Sequence, residues 1–429
     1  MSRFTTVLLI LLLFTAVIGG ILILTPVNTQ KNGTTITLYV IGSNLESTTG
    51  EATKNLRTIA ESWEPGAGDI LIAYGAARKS GWNNDLTITN ITLLTQDLAD
   101  GRIGVDFTEE GNTIPTRSIL TRLTNTDMAD PDTLAYFLDY AQTYRMQQDL
   151  QNTNNILLLW SHGYGYDGFG SNKITGTKLT LDDLTTAFQT ANQSKNPYDL
   201  LIFDACLMAS LETADTVYPY AHYLVASQDL TPLGGLNYSA FISTITDNPN
   251  TDSKTLSRII IDTYIQQNQK EPKTLSLIDL SQIPAVVTSL NNLGTQLTNE
   301  LTTNPGTVHT INQIYNTTQG FGALGTSTTT IEAIDLLQFA QNINKNQNFT
   351  SQTRQTAGSL VTTLNTCILY TNSTYNYSAA TGITVAAPLD TFKEEIPRTI
   401  QFDQAGWADF LRAYLGNPES DGHPHPKTA

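Results

Sequence analysis

The chain has 429 residues, enough for one large α/β domain or two to three smaller ones. With 23 Lys+Arg against 39 Asp+Glu, its net charge of −16 argues against nucleic acid or an anionic surface as partner, because both call for a basic patch. At 40% hydrophobic and 14% charged residues the bulk is not a disordered chain, and two cysteines rule out a disulfide scaffold or a four-Cys zinc site.

Residues 7–24, VLLILLLFTAVIGGILIL, carry no charge. Extended back to Phe4, the run is long enough as a helix to cross a ~30 Å hydrocarbon layer. Arg3 precedes it and Lys31 follows it, an asymmetry that favours a cytoplasmic N-terminus. The run is long for a signal peptide, and TPVNTQKNG after it holds no A-x-A-like site. An uncleaved anchor within residues 1–25 is therefore the leading reading, and a cleaved signal segment its rival. Both put the folded part outside the cytoplasm, either held at the cell membrane through residues 4–25 or secreted.

Residues 26–35 read as a polar linker. TTITLYVIG (34–42) reads as a strand that breaks at Gly42-Ser43-Asn44. A helical pattern follows at 50–63, a second strand at 69–76, and an alternating stretch at 86–98 that reads as antiparallel strands. Residues 130–146 read as an amphipathic helix with Asp130 as cap. Ile156–Trp160 is a continuous apolar run, as expected of a strand covered on both faces. A helix over 180–192 starts at Thr180 with Asp182 and Asp183 in its first turn. DLLIFDACLMASLETADTVY (199–218) reads as a strand through Phe203 that becomes a helix after Cys206, and 222–229 as a further strand. This alternation predicts an α/β fold with a mostly parallel sheet and right-handed crossovers. Helical patterns recur near 254–269, 281–301, 331–343 and 352–366, then a late strand within 378–389 and a helix at 407–415. The elements divide into a core over 36–245, a mixed α+β portion over 246–415 that completes the fold, and a polar tail over 416–429 that reads as disordered.

His162 follows the strand at 156–160, and Cys206 follows the strand at 199–203. One helix lies between those strands, so a right-handed crossover makes them near neighbours in one sheet. Both side chains then sit beyond the carboxyl ends of parallel strands, where open α/β sheets build their sites. A thiolate is a nucleophile, and the N-terminus of a helix starting after Cys206 would favour it. An imidazole nearby can take the thiol proton and return it to a leaving amine. Gly163 lets the backbone approach closely, and its N–H with that of Cys206 can hold an oxyanion. The bland alternative is an inert buried Cys and a hydrogen-bonded strand-end His.

LLLWSHGYG and DLLIFDACLMASLETA resemble the two signature segments of the clostripain family of cysteine endopeptidases. YVIGSNLE, VASQDLTPLGGLNY and TGITVAAP resemble its flanking elements, so the resemblance spans roughly 36–415. It implies a caspase-like fold, a three-layer sandwich, with 36–245 as the catalytic core. By motif position it implies Cys206 as nucleophile and His162 as general acid/base. It further implies that Asp204 lines a pocket for Arg or Lys before the cut, against the alternative that Asp204 caps a following helix; Asp229 is a candidate second pocket acid. Family members often cleave themselves between the His and the Cys, where Lys173 and Lys178 lie in a polar Gly-containing loop and Lys195 lies further on. Ser161 stands where many relatives carry an acid, and Leu236 where many carry an aromatic ring. Some relatives need calcium, which the acidic surplus permits here although no D-x-[DN]-x-[DN]-G loop places a site; the residues themselves call for no cofactor. The expected partners are protein or peptide substrates bearing Arg or Lys. A second reading is a caspase-like surface module without catalysis, which would tend to lose Cys206, His162 or Asp204; all three are intact.

Overall fold

The computed structural model describes residues 33–101, 118–150, 153–322, 332–387 and 406–416. The apolar segment 4–25 and the tail beyond 416 lie outside the described residues. Among the described residues no helix is long and apolar enough to cross a membrane.

Fourteen strands are formed among these residues. In chain order they are β1 (Thr34–Ile41), β2 (Gly68–Gly75), β3 (Leu86–Asn90), β4 (Thr121–Leu123), β5 (Asn154–Trp160), β6 (Phe169–Asn172) and β7 (Thr177–Leu179). There follow β8 (Tyr198–Asp204), β9 (Ala221–Ala226), β10 (Thr274–Asp279), β11 (Gly320–Gly322), β12 (Glu332–Asp335), β13 (Ile368–Ser373) and β14 (Thr384–Ala386). Nine of them make one sheet in the order β13-β10-β9-β8-β5-β1-β2-β3-β4. The five central strands run parallel, from β9 across to β2. The flanks are antiparallel on both sides. The sheet is thus mixed, where a mostly parallel one is expected from the alternation. The cause is local: helical crossovers feed only the centre, and the outer strands add at its edges.

Alternation along the central strands loads two separate cores. Tyr39, Leu157, Leu159, Leu201 and Phe203 face one layer of helices. Leu38, Val40, Ile156, Leu158, Trp160 and Ile202 face the other. Strands buried on both faces need to be apolar throughout, which is why β5 and β8 read as unbroken runs. The first core takes helices Pro131–Gln147 and Leu181–Thr190, with Ile283–Thr303 and Ser351–Cys367 from beyond residue 245. The second takes Glu51–Ser62, Tyr238–Asp247 and Ser253–Gln267. Strands β10 and β13, also from beyond residue 245, extend the same sheet.

Thr180 caps its helix as expected, with Asp183 reciprocating in a capping box. Asp130 caps Pro131–Gln147 by accepting the Asp132 and Thr133 N–H groups. The stretch 86–98 departs from the antiparallel reading: after β3 it becomes helix Ile91–Ala99. Asn90 explains the switch, because its side chain accepts the Leu93 N–H at 3.0 Å and caps the turn. Between β5 and β8 a hairpin, β6–β7, precedes the expected helix.

Candidate active site

The order β8-β5-β1 brings three strand ends side by side. In register, Val40 lies beside Trp160 and Trp160 beside Asp204. Just past these positions come Ser43 and Asn44 from β1, His162 from β5, and Cys206 from β8. A 44-residue separation in sequence collapses to neighbouring strand ends. The closest approach is between backbones: a Cβ on Gly163 would lie 2.0 Å from the Cys206 carbonyl oxygen. Only glycine fits there. Neither the Gly163 nor the Cys206 N–H is engaged by a backbone acceptor among the described residues, so neither is committed to the fold.

Cys206 does not sit at a helix N-terminus as the sequence suggests. The next helix starts at Leu211, with Ser210 as its cap. The intervening chain turns sharply, with Leu207 at φ 65°, and pairs outward. Leu207 N–H donates to Asp229 and Ala209 N–H to Ser227, each to the carbonyl oxygen. These β-type contacts compete with helix formation and delay it by a turn. The thiolate therefore has no helix dipole to lean on. Its partner is Thr231, whose N–H lies 3.2 Å from Sγ. Burial raises the Cys206 pKa, with the Thr231 N–H opposing the shift.

His162 is half-buried and hydrogen-bonded to Asn44, with Nε2 2.9 Å from Oδ1. An amide oxygen only accepts, so Nε2 carries the proton and Nδ1 is left as the base. Burial, helped by the Lys173 charge, lowers the His162 pKa to about 4. At neutral pH the resting pair is thus a thiol beside a neutral imidazole. The two are not hydrogen-bonded to each other among the described contacts, a common state before substrate arrives.

Asp204 is 5% exposed. Its Oδ2 accepts from the Tyr238 hydroxyl at 2.7 Å and from the Leu236 N–H at 3.2 Å. It caps no helix. Burial raises its pKa to about 6, against the pull of those two donors. Gly235, at φ 61°, lies so close that a Cβ would come within 2.5 Å of Oδ2. The Leu236 side chain packs in the second core, so this position serves the acid through its backbone. Asp229 is equally buried and within electrostatic reach of the Cys206 thiol; it accepts from the Tyr377 hydroxyl and from the Gly322 N–H. Ser161 donates to the Ile41 carbonyl at 2.9 Å, tying β5 to β1. Lys173 is exposed at the tip of the β6–β7 hairpin, while Lys178 is held by Asp167 and lies over the Tyr164 ring. Among the described residues no group of three His, Cys, Asp or Glu side chains is placed to hold a metal ion.

Asn44 is the imidazole's partner in the structure, and pattern reading offers no role for it; its signal is the break Gly42-Ser43-Asn44 at the end of a central strand. Asn44→Ala is expected to lower kcat by about tenfold with little change in KM, since it frees the imidazole to rotate. Asn44→Asp still accepts the Nε2 proton and should restore most of kcat while raising the imidazole pKa. An unaltered kcat in Asn44→Ala would remove the orienting role.

The family model of the clostripain family matches residues 39–404. No curated protein matches the sequence. Among solved structures, the chain is similar to a secreted C11 cysteine protease from Bacteroides thetaiotaomicron in complex with an irreversible peptide inhibitor, at 14% identity and TM-score 0.59. That match covers 90% of this chain and 99% of the other. It is also similar to an inactive zymogen C11 protease from Parabacteroides distasonis, at 17% identity and TM-score 0.57, over 90% and 99% of the two chains. At such identities these likenesses speak for a shared fold, and the match over most of the sequence carries the assignment: the chain belongs to the clostripain family and is a cysteine peptidase.

Proposed function

We propose that this peptidase is an endopeptidase that cuts after Lys or Arg, with Cys206 as nucleophile and His162 as acid and base. The observation that carries the reading is the close contact of Gly163 with the Cys206 backbone, which brings thiol, imidazole and two N–H groups without backbone acceptors to neighbouring strand ends beside buried Asp204. In the reaction, His162 Nδ1 takes the thiol proton as Sγ bonds to the scissile carbonyl carbon. The carbonyl oxygen gathers negative charge, and the Gly163 and Cys206 N–H groups stabilise it. The C–N bond breaks as the imidazolium returns the proton to the leaving amine. Water, deprotonated by the same imidazole, then adds to the thioester carbonyl, and the thiol leaves with a proton. Asp204 supplies the charge that receives the basic side chain before the cut. Asp229, held by Tyr377 and Gly322, is a second acid close enough for its charge to act on the thiol.

The apolar segment 4–25 supports a single-pass anchor with the catalytic domain outside the cell, in a caspase-like arrangement. A zymogen reading goes with it. Exposed Lys173 at a hairpin tip, and Lys178 at its foot, are the candidate self-cleavage points between His162 and Cys206. Wild type is expected to resolve into two fragments by intact mass on incubation, and Cys206→Ala to stay whole. Identical single species would end the self-processing idea.

The reading as a whole is tested with fluorogenic peptides ending in Arg, Lys, Asp or Leu, with and without a thiol reductant and calcium. Thiol-dependent turnover after Arg or Lys is expected. No such turnover of any peptide would remove the assignment, and turnover after Asp would remove the pocket.

A further inference from the structure

Resting on the reading of His162 as acid and base, we propose that Ser43 and Ser171 are positioning residues for it: two buried hydroxyls that hold the Asn44 amide with its oxygen toward the imidazole. The hydrogen bonds run in one line. His162 Nε2 lies 2.9 Å from Asn44 Oδ1. The Ser43 hydroxyl donates to the same Oδ1 at 3.2 Å, and its oxygen lies 3.2 Å from that of Ser171. A hydroxyl has one proton to give. Ser43 gives its proton to Asn44, so Ser171 is the donor to Ser43. Both bonds point toward the amide oxygen, which thus meets two donors, the Ser43 hydroxyl and the ring N–H.

Asn44 needs such a brace because it is exposed. The torsion that turns an amide is soft, and water satisfies either end of the group. A turned amide would present its NH2 to Nε2. Nε2 would then have to accept, the ring proton would move to Nδ1, and Nδ1 would cease to be a base. The backbone around Asn44 is held by other contacts. The Ser43 N–H donates to the Ala76 carbonyl at 2.8 Å, carrying the β1–β2 pairing past the strand end. In the same short helix, Ser43–Thr49, buried Glu46 accepts the Thr53 N–H at 2.8 Å and pairs with Lys79 at 2.6 Å. Ser171, in β6, is fixed from its own side. The Gly170 N–H donates to the His162 carbonyl at 2.8 Å, and the Asn172 amide donates to Asn84 and Asp127 at 2.7 and 2.8 Å. Ser43 and Ser171 are 1% and 6% exposed, so water competes little for their hydroxyls. What these contacts leave to the two hydroxyls is the choice of which end of the Asn44 amide meets the ring.

The test uses the full chain with Lys and Arg peptides. Ser43→Gly removes one hydroxyl and suits the left-handed backbone there, φ 52°, so it adds no strain to the fold. Ser171→Ala removes the other. Each is expected to lower kcat by about threefold to tenfold with little change in KM. In an Asn44→Ala background neither should lower kcat further, because the amide they orient is gone; a role in folding alone would multiply the losses. Nitrogen NMR of the histidine rings, in a Cys206→Ala chain that cannot process itself, reads the brace without turnover. His162 should hold its proton on Nε2 when both serines are present, and share it with Nδ1 when either hydroxyl is removed. An unaltered kcat and ring spectrum in both variants would overturn the brace, and so would losses that multiply in the Asn44→Ala background. If no peptide is turned over at all, the endopeptidase reading falls and the ring spectrum decides the brace by itself: a shift of the proton toward Nδ1 supports it, and no shift overturns it.

Discussion

Cys206→Ala is expected to lower turnover of every peptide by at least about 10⁴-fold, as for other enzymes that lose their nucleophile. Folding should barely change. The thiol is half-buried, and among the described residues its polar contacts are with Thr231. Its removal should cost no more than about 1 kcal/mol, read as a small shift in the thermal midpoint. Residual thiol-dependent turnover within tenfold of wild type would sink the nucleophile assignment. Cys367 offers no rescue: it is fully buried, and burial pushes its pKa up to about 12.

Asp204→Asn should have the next largest effect, and it should move activity and stability in opposite directions. Asparagine keeps the shape, and its amide oxygen can still accept from Tyr238 and Leu236. What it removes is the charge that faces the basic side chain of the substrate. Loss of one member of a desolvated charge pair predicts a fall of roughly 10²–10³-fold in kcat/KM for Lys and Arg peptides. Peptides with an uncharged residue at that position should change little.

The pH profile separates the two titrating groups. His162 is a neutral base above about pH 4, and Asp204 is charged only above about pH 6 in the free enzyme. For basic peptides kcat/KM should therefore rise as pH passes 6, and that limb belongs to the aspartate. In Asp204→Asn the limb should drop toward 4. A limb that stays near 6 in the variant would assign it to another group.

Stability follows from the same shift. The folded carboxyl titrates near 6, above the ordinary carboxylate value expected in the unfolded chain. Below the ordinary value both states hold the proton, and the acid has no cost. As pH rises toward 6, the unfolded state ionises first and the fold loses stability, on the order of 3 kcal/mol by neutral pH. Asp204→Asn should accordingly raise the thermal midpoint at pH 7 and leave it nearly unchanged at pH 4. A lowered midpoint at pH 7 would mean that the buried charge is paid for by contacts not identified in the pocket.

Much of the architecture is visible in the residues. The unbroken apolar runs of β5 and β8 announce central strands, and Thr180 and Asp130 mark helix starts, because these signals are local and survive packing. The meeting of His162 with the Cys206 segment is also legible, since crossover handedness leaves two such strands few other arrangements. The stretch 86–98 carries a mixed signal: its alternation suits a strand, and a single Asn90 cap diverts the second half into a helix.

What could not be read from the chain alone concerns where neighbours from distant segments arrive. The helix expected after Cys206 yields to pairing with residues 227–229, so the thiol loses the dipole that local sequence promises. Asn44 becomes the imidazole's partner because β1 lies beside β5. Asp204 and Asp229 look alike in sequence, yet one is held by Tyr238 and the Leu236 N–H and the other by Tyr377 and the Gly322 N–H. Propensity and periodicity act over a few residues and so specify strands, caps and their order. Which donors hold each acid, which ring nitrogen holds the proton and which way each pKa moves depend on desolvation and contacts between residues tens to hundreds of positions apart, which exist only once the sheet has assembled.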